Sequence, residues 1–254
     1  MNCKNCGNTL RSDFQYCPSC GAKIIRNRLT LKNIWQDLSF QVFNLDNTLL
    51  KTFRHLFPKP EVVINTFISG ARKKYMNPVS YFAIAITVSG LLFYVLRNWY
   101  GVNLTENAMN PEASSNMDFI FDYQGILSYL FVPIYALMTW ILFLDIKKLN
   151  FTEHLVANAY LTAQVSFLQV LICLPLFGFF EINYQNFNWI VLLFSIGYQF
   201  YAFGKLHHVG IGSTVLRALG YAVMMLFVFM GIGIVFFLVG MMTGNINLED
   251  FRPN

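Results

Sequence analysis

Val215–Met242 reads VLRALGYAVMMLFVFMGIGIVFFLVGMM and holds one charged residue, Arg217. A helix needs about 20 predominantly apolar residues to cross the hydrocarbon of a bilayer, so this stretch is long enough to span it. Towards the N-terminus lie four more apolar stretches: Trp189–Phe203, Leu155–Phe180 with Pro175 near its end, Ile126–Leu144 and Val79–Leu96. All but Trp189–Phe203 satisfy the length requirement directly. That stretch is short and contains Tyr198, Gln199 and Tyr201. It reads as a span shielded by the other helices, with a re-entrant or interfacial segment as the alternative. The chain is 56% hydrophobic and 17% aromatic but only 12% charged, where a soluble domain carries about 25% charge. Its mean hydropathy is +0.47. The expected fold is an all-α integral membrane protein with five transmembrane helices over residues 78–244, a short tail at 245–254, and a small N-terminal zinc ribbon.

The ribbon is read from two matched knuckles, Cys3-Lys4-Asn5-Cys6-Gly7 and Cys17-Pro18-Ser19-Cys20-Gly21. Each CxxC offers two thiolates from one tight turn, and the glycine that follows permits a positive φ. Cys3, Cys6, Cys17 and Cys20 can thus close a tetrahedral zinc site within residues 1–28. Two disulfides would need an oxidising compartment, and a redox CxxC would need a βαβ scaffold that the sequence does not offer. With all four positions filled by cysteine, the zinc is expected to be structural rather than catalytic. Cys173 lies in an apolar run and reads as a small buried side chain.

Charge sets the expected orientation. Of the 18 Lys and Arg residues, 12 precede Pro78, and Arg72-Lys73-Lys74 stands directly before the first span. Asn98–Tyr123 carries Glu106, Glu112, Asp118 and Asp122 and no Lys or Arg. The positive-inside rule then places the N-terminus in the cytosol and the C-terminus in the periplasm. A cytosolic ribbon would also keep its thiols reduced. Arg72, Lys73 and Lys74 are expected to serve topology and anionic-lipid contact. No removable signal peptide is expected.

Residues 29–77 read as cytosolic, juxtamembrane helices. Apolar residues recur at helical spacing from Leu31 to Leu56, Pro58-Lys59-Pro60 stops that helix, and a second stretch, Glu61–Ser69, ends at Gly70. The apolar stripe can lie on the inner leaflet or pack against the bundle. The order CxNCG…CPxCG followed by FNLDNTLLKTFRHLFPKPEVVINTFISGARKKYMNPVSYF resembles the bacterial membrane family called domain of unknown function 3667. The residues that carry the resemblance are Leu45, Asp46, Thr52, Pro60, Gly70, Arg72, Lys74, Tyr75, Asn77 and Pro78, with FTEHLVANAY at Phe151–Tyr160 as a further element. Ala157 and Asn158 stand there in place of bulkier or aromatic residues. The resemblance implies a bacterial inner-membrane protein of unknown activity and supplies no catalytic residues.

His154, Asn158, Thr162, Gln169 and Cys173 fall on one stripe of the third span at 100° per residue. Such groups are candidates for function, but the preferred reading is hydrogen-bonded glue between helices. Asp145, Glu153, His154, His207 and His208 gather at the cytosolic edge without a metal-binding spacing. No phosphate-loop or nucleophile motif occurs. The expectation is a non-enzymatic scaffold that binds the bilayer and an unknown protein partner, with no nucleic acid. A transporter or permease subunit using the polar stripe is the first alternative. A lipid-handling membrane enzyme using the histidine edge is the second.

Overall fold

A computed structural model describes residues 2–3, 6–21, 48–71, 74–102, 124–180 and 183–242. The chain divides into two compact units, Met1–Asp46 and Asn47–Asn254. No strand occurs among the described residues. Expectations that fall on residues 30–47, on Arg72 and Lys73, on most of the acidic segment (103–123) and on the tail lie outside them.

The first unit is a pair of turns around a small core. An isolated antiparallel bridge joins Asn2 to Thr9. Cys3, Leu10 and Cys17 are buried, and Phe14 packs on them. A core this small contributes little stability on its own, which leaves a metal to supply it.

The second unit holds seven helices: α1 (Thr48–Leu56), α2 (Pro60–Ile68), α3 (Pro78–Asn98), α4 (Gln124–Leu142), α5 (Phe151–Phe179), α6 (Tyr184–His207) and α7 (Ile211–Met242). Their boundaries follow local chemistry. Pro60 and Pro78 begin α2 and α3, where a missing N–H costs nothing. Asn77 Oδ1 accepts the Val79 N–H at 2.9 Å. Asn150 and Glu153 form a reciprocal capping box on α5, at 2.9 and 2.8 Å. His208 closes α6 in the left-handed conformation, φ 57°.

Pro78–Asn98, Phe151–Phe179, Asn186–His207 and Ile211–Val235 are each long and apolar enough to cross a membrane. The expected second span corresponds to α4, whose 19 residues include Pro133. The stretch expected to be weakest, Trp189–Phe203, lies inside the 24-residue α6. Its tyrosines and Gln199 lower its hydropathy, yet several of them turn towards protein partners rather than lipid. α7 exposes Leu216, Leu219, Val223, Leu226, Phe227, Met230 and Ile234. An apolar face this large is stable only against hydrocarbon or another protein.

One core cluster joins α1 and α2 to α3–α7 through Leu56, Val63, Ile64, Tyr81, Tyr160, Phe203 and Tyr221. A second, formed by Leu92, Leu96, Cys173, Phe177 and Phe187, fills the far ends of α3, α5 and α6. α6 and α7 cross closely at Gly204, where an added Cβ would lie 2.9 Å from Thr214 Oγ1 and 3.3 Å from its Cγ2. Thr214 is β-branched, and its hydroxyl donates to the Gly210 carbonyl at 3.1 Å, so it gives way poorly. Gly204→Ala is therefore expected to destabilise the helical unit by about 1–3 kcal/mol. Thermal unfolding in detergent checks this, and an unchanged transition would show that the crossing has slack.

Candidate metal centre and the polar interior of the bundle

The two knuckles share one geometry. Gly7 N–H donates to the Cys3 carbonyl and Gly21 N–H to the Cys17 carbonyl, both at 2.9 Å. The glycines adopt φ 79° and 69°, the left-handed region that the CxxCG pattern anticipates. These turns aim all four sulfurs inward, within 4.8 Å of one another. Cys3 Sγ lies 3.8 Å from Cys20 Sγ, and Cys6 Sγ lies 3.6 Å from Cys17 Sγ. Four sulfurs about 2.3 Å from a central ion define a tetrahedron with edges of about 3.8 Å. The cysteines are free thiols, and the two short separations are far too long for disulfides. The residues fit a structural zinc and leave no coordination position open for a substrate. The Asn8 backbone donor lowers the Cys6 pKa, but the Cys20 thiol, desolvation and the Cys17 and Cys3 thiols outweigh it and push Cys6 up to about 12. A bound cation reverses that balance, because the ligands must be thiolates.

The third-span stripe is not brought to a single site. His154 and Asn158 are fully buried. His154 Nδ1 lies 3.1 Å from Thr139 Oγ1, and Asn158 Nδ2 donates to the same oxygen at 2.9 Å. Gln199 Nε2 then donates to Asn158 Oδ1 at 2.6 Å, so the network ties α4, α5 and α6. Thr162 faces a cavity instead. Gln169 hydrogen-bonds Tyr184, and Cys173 is a buried thiol within the second core cluster.

The cytosolic-edge group is likewise dispersed. Glu153 is engaged in the capping box. Asp145 pairs with Arg217 through two contacts of 2.9 and 2.5 Å, and this hydrogen bonding holds the exposed Asp145 carboxyl below its usual range. The His154 and His207 rings stack with centroids 5.6 Å apart, and Phe143 lies 4.3 Å from His207. Among the described residues, the four cysteines are the group whose ligand atoms converge as a metal requires.

Packing of α1 and α2 on the bundle was one of the two readings the sequence offered, but the hydrogen bonds that attach them were not legible there. The last carbonyls of a helix need donors from outside it. Within Pro58-Lys59-Pro60 only Lys59 has an N–H, and that group donates to the His55 carbonyl at 3.0 Å. The bundle supplies further donors. Gln164 Nε2 donates to the Phe53 carbonyl at 3.0 Å, and Tyr198 O–H donates to the Leu56 carbonyl at 2.9 Å. Lys205 Nζ and Tyr201 O–H donate to the Pro58 carbonyl at 2.8 and 3.3 Å. Tyr160 O–H donates to the Met76 carbonyl at 2.5 Å, whose N–H in turn donates to Thr52 Oγ1 at 3.0 Å. Tyr81 O–H donates to Gln164 Oε1 at 2.5 Å. The apolar stripe of α1 and α2 thus packs on the bundle through Leu56, Val63 and Ile64. Lys74 Nζ lies 5.6 Å from the Tyr75 ring centroid.

A cavity of about 770 Å³ opens between α5, α6 and α7, with Tyr135 of α4 at its edge. Its walls include Val165, Leu192 and Leu226, and its polar groups include Thr162, Ser166 and Gln199.

Residues 2–24 match the family model described as a zinc-ribbon domain, and residues 46–90 match that described as protein of unknown function (DUF3667). No curated protein and no solved structure matches the chain. The second match runs through α1 and α2 and into α3, the segment whose carbonyls the bundle captures. The chain is a membrane protein in which residues 46–90 are similar to DUF3667, behind an N-terminal segment that matches a zinc-ribbon domain.

Proposed function

We infer that the protein is a non-enzymatic membrane scaffold whose ribbon recruits a protein partner. The observation that carries this reading is the closed four-cysteine site: a metal held there has no open position at which to bind or activate a substrate. The buried His154, Asn158 and Gln199 are engaged with one another and with Thr139, as structural glue would be. The proposed setting is a bacterial inner membrane, with five crossings, the N-terminus cytosolic and the C-terminus periplasmic. The 12 basic residues before Pro78 support that orientation, while Arg97 and Arg252 are the basic residues it assigns to the outside.

Reporter fusions before Met1 and after Asn254 test the topology, with cytosolic and periplasmic activity expected respectively. Activity of both on one side would reject five crossings. Crosslinking in native membranes, comparing the wild type with Cys3→Ser/Cys6→Ser, tests recruitment. A partner crosslinked to the wild type should vanish from the variant, and an unchanged set of crosslinks would overturn the scaffold. A permease subunit, the competing reading favoured by the cavity, would instead keep its transport after ribbon deletion.

A further inference from the structure

We propose that the cavity between α5, α6 and α7 is a binding site for a long-chain lipid whose polar end is an uncharged hydroxyl. The proposal stands whether or not the ribbon recruits a partner.

Three observations carry it. The first is location. The α5, α6 and α7 residues that line the cavity belong to segments long and apolar enough to cross a membrane, so what reaches it laterally is hydrocarbon. The lining runs along α6 from Asn188 to Gln199. At 1.5 Å per residue that is about 16 Å, roughly half of a 30 Å hydrocarbon core. A chain from one leaflet fits such a depth, and the volume lies within the usual range of ligand sites.

The second is charge. No Asp, Glu, Lys, Arg or His lines the cavity. A phosphate, carboxylate or ammonium placed inside would find no counter-charge at membrane depth. The group held there is therefore neutral.

The third is the state of the polar lining. Gln199 is occupied, donating to Asn158 and hydrogen-bonded to Tyr221. Ser195 donates to the Leu192 carbonyl at 2.8 Å. Thr162 and Ser166 stand one helical turn apart on α5, and neither hydroxyl has a hydrogen bond among the described residues. Hydroxyls in helices commonly bond the carbonyl four residues back. Thr52, Thr66 and Thr87 do so here, at 2.6, 2.6 and 2.9 Å. Thr162 and Ser166 thus keep both donor and acceptor capacity for a guest. Tyr135 of α4 also lines the cavity.

The test uses the full-length protein in phosphatidylcholine nanodiscs. The probes are a long-chain alcohol and a diacylglycerol, each with a diazirine in its hydrocarbon chain, and a phosphatidylglycerol labelled in the same way. Mass spectrometry of the photolabelled protein should place the neutral probes on lining residues such as Val165, Leu192 and Met225. Thr162→Val/Ser166→Ala should lower that labelling about tenfold, the effect of losing two hydrogen bonds. Leu216→Ala, on the face of α7 turned away from the cavity, should leave it unchanged. Labelling of the wild type should be competed by unlabelled long-chain alcohol and far less by hexadecane, a readout that needs no variant to fold. Labelling by the alcohol or by the diacylglycerol alone would support the site and identify its source as a simple alcohol or a glycerolipid. Equal labelling by phosphatidylglycerol, equal competition by hexadecane, or label spread evenly over the outer face of α7 would overturn the proposal.

Discussion

Cys3→Ser/Cys6→Ser is expected to strip the protein of zinc, from about one ion per chain to below a tenth of that. Two of the four ligands are lost, and hydroxyls do not replace thiolates in a tetrahedral sulfur site. Structural zinc contributes about 10–16 kcal/mol of apparent binding free energy at neutral pH, far more than the small core around Leu10 and Phe14 can supply. The first unit should therefore unfold and become protease-sensitive. The helical unit, a separate compact body, should keep its own unfolding temperature. Acid should mimic the substitution in the wild type. The ligands bind as thiolates, and without the ion Cys6 holds its proton up to about pH 12. Protons thus compete with zinc, and zinc content should fall as pH falls and hold as pH rises. Metal analysis across a pH series checks the direction. Full zinc retention in the double variant would refute the site.

Gln164→Leu is expected to destabilise the helical unit by about 3 kcal/mol, roughly 10 °C in its unfolding midpoint. Gln164 is fully buried and makes two bonds with opposite roles. It accepts from Tyr81 O–H and donates to the Phe53 carbonyl. Leucine fills the volume but leaves a buried donor and a helix-terminal acceptor unpaired, each at about 1–3 kcal/mol. Hydrogen bonds between membrane helices average only about 0.6 kcal/mol, because the loosened state finds other partners. The Phe53 carbonyl has few alternatives: its one in-register donor is the Phe57 N–H at the frayed end of α1, and Pro58 beyond it has none. Tyr81→Phe should cost less, and combining it with Gln164→Leu should cost less than the sum. Limited proteolysis should show α1 and α2 released in Gln164→Leu. A variant as stable as the wild type would remove Gln164 from the account of docking.

What was legible in the sequence was local or additive. The CxxCG knuckles place ligands and positive-φ glycines within five residues, so spacing alone points to the metal site. Spans are legible because hydropathy adds over about 20 residues. The length of α6 was not, because Tyr198, Gln199 and Tyr201 count as polar wherever they point. Gln164 was passed over as a single amide in an apolar run, off the stripe from His154 to Cys173. Its partner Phe53 is 111 residues away, and Leu56 is 142 from Tyr198. No periodicity links positions so far apart. The unspent hydroxyls of Thr162 and Ser166 were equally hidden, because sequence does not tell which hydroxyls bond back to their own helix.

The attachment of α1 and α2 divides evolutionary freedom unequally between its two sides. Phe53, Leu56, Pro58 and Met76 contribute main-chain oxygens, which every amino acid possesses. Gln164, Tyr198, Lys205 and Tyr160 contribute side-chain donors, which few amino acids could replace. Residues at the accepting positions can drift without breaking a bond, provided apolar packing survives. The donors cannot, and all four lie beyond residue 90, outside the residues that match the DUF3667 model.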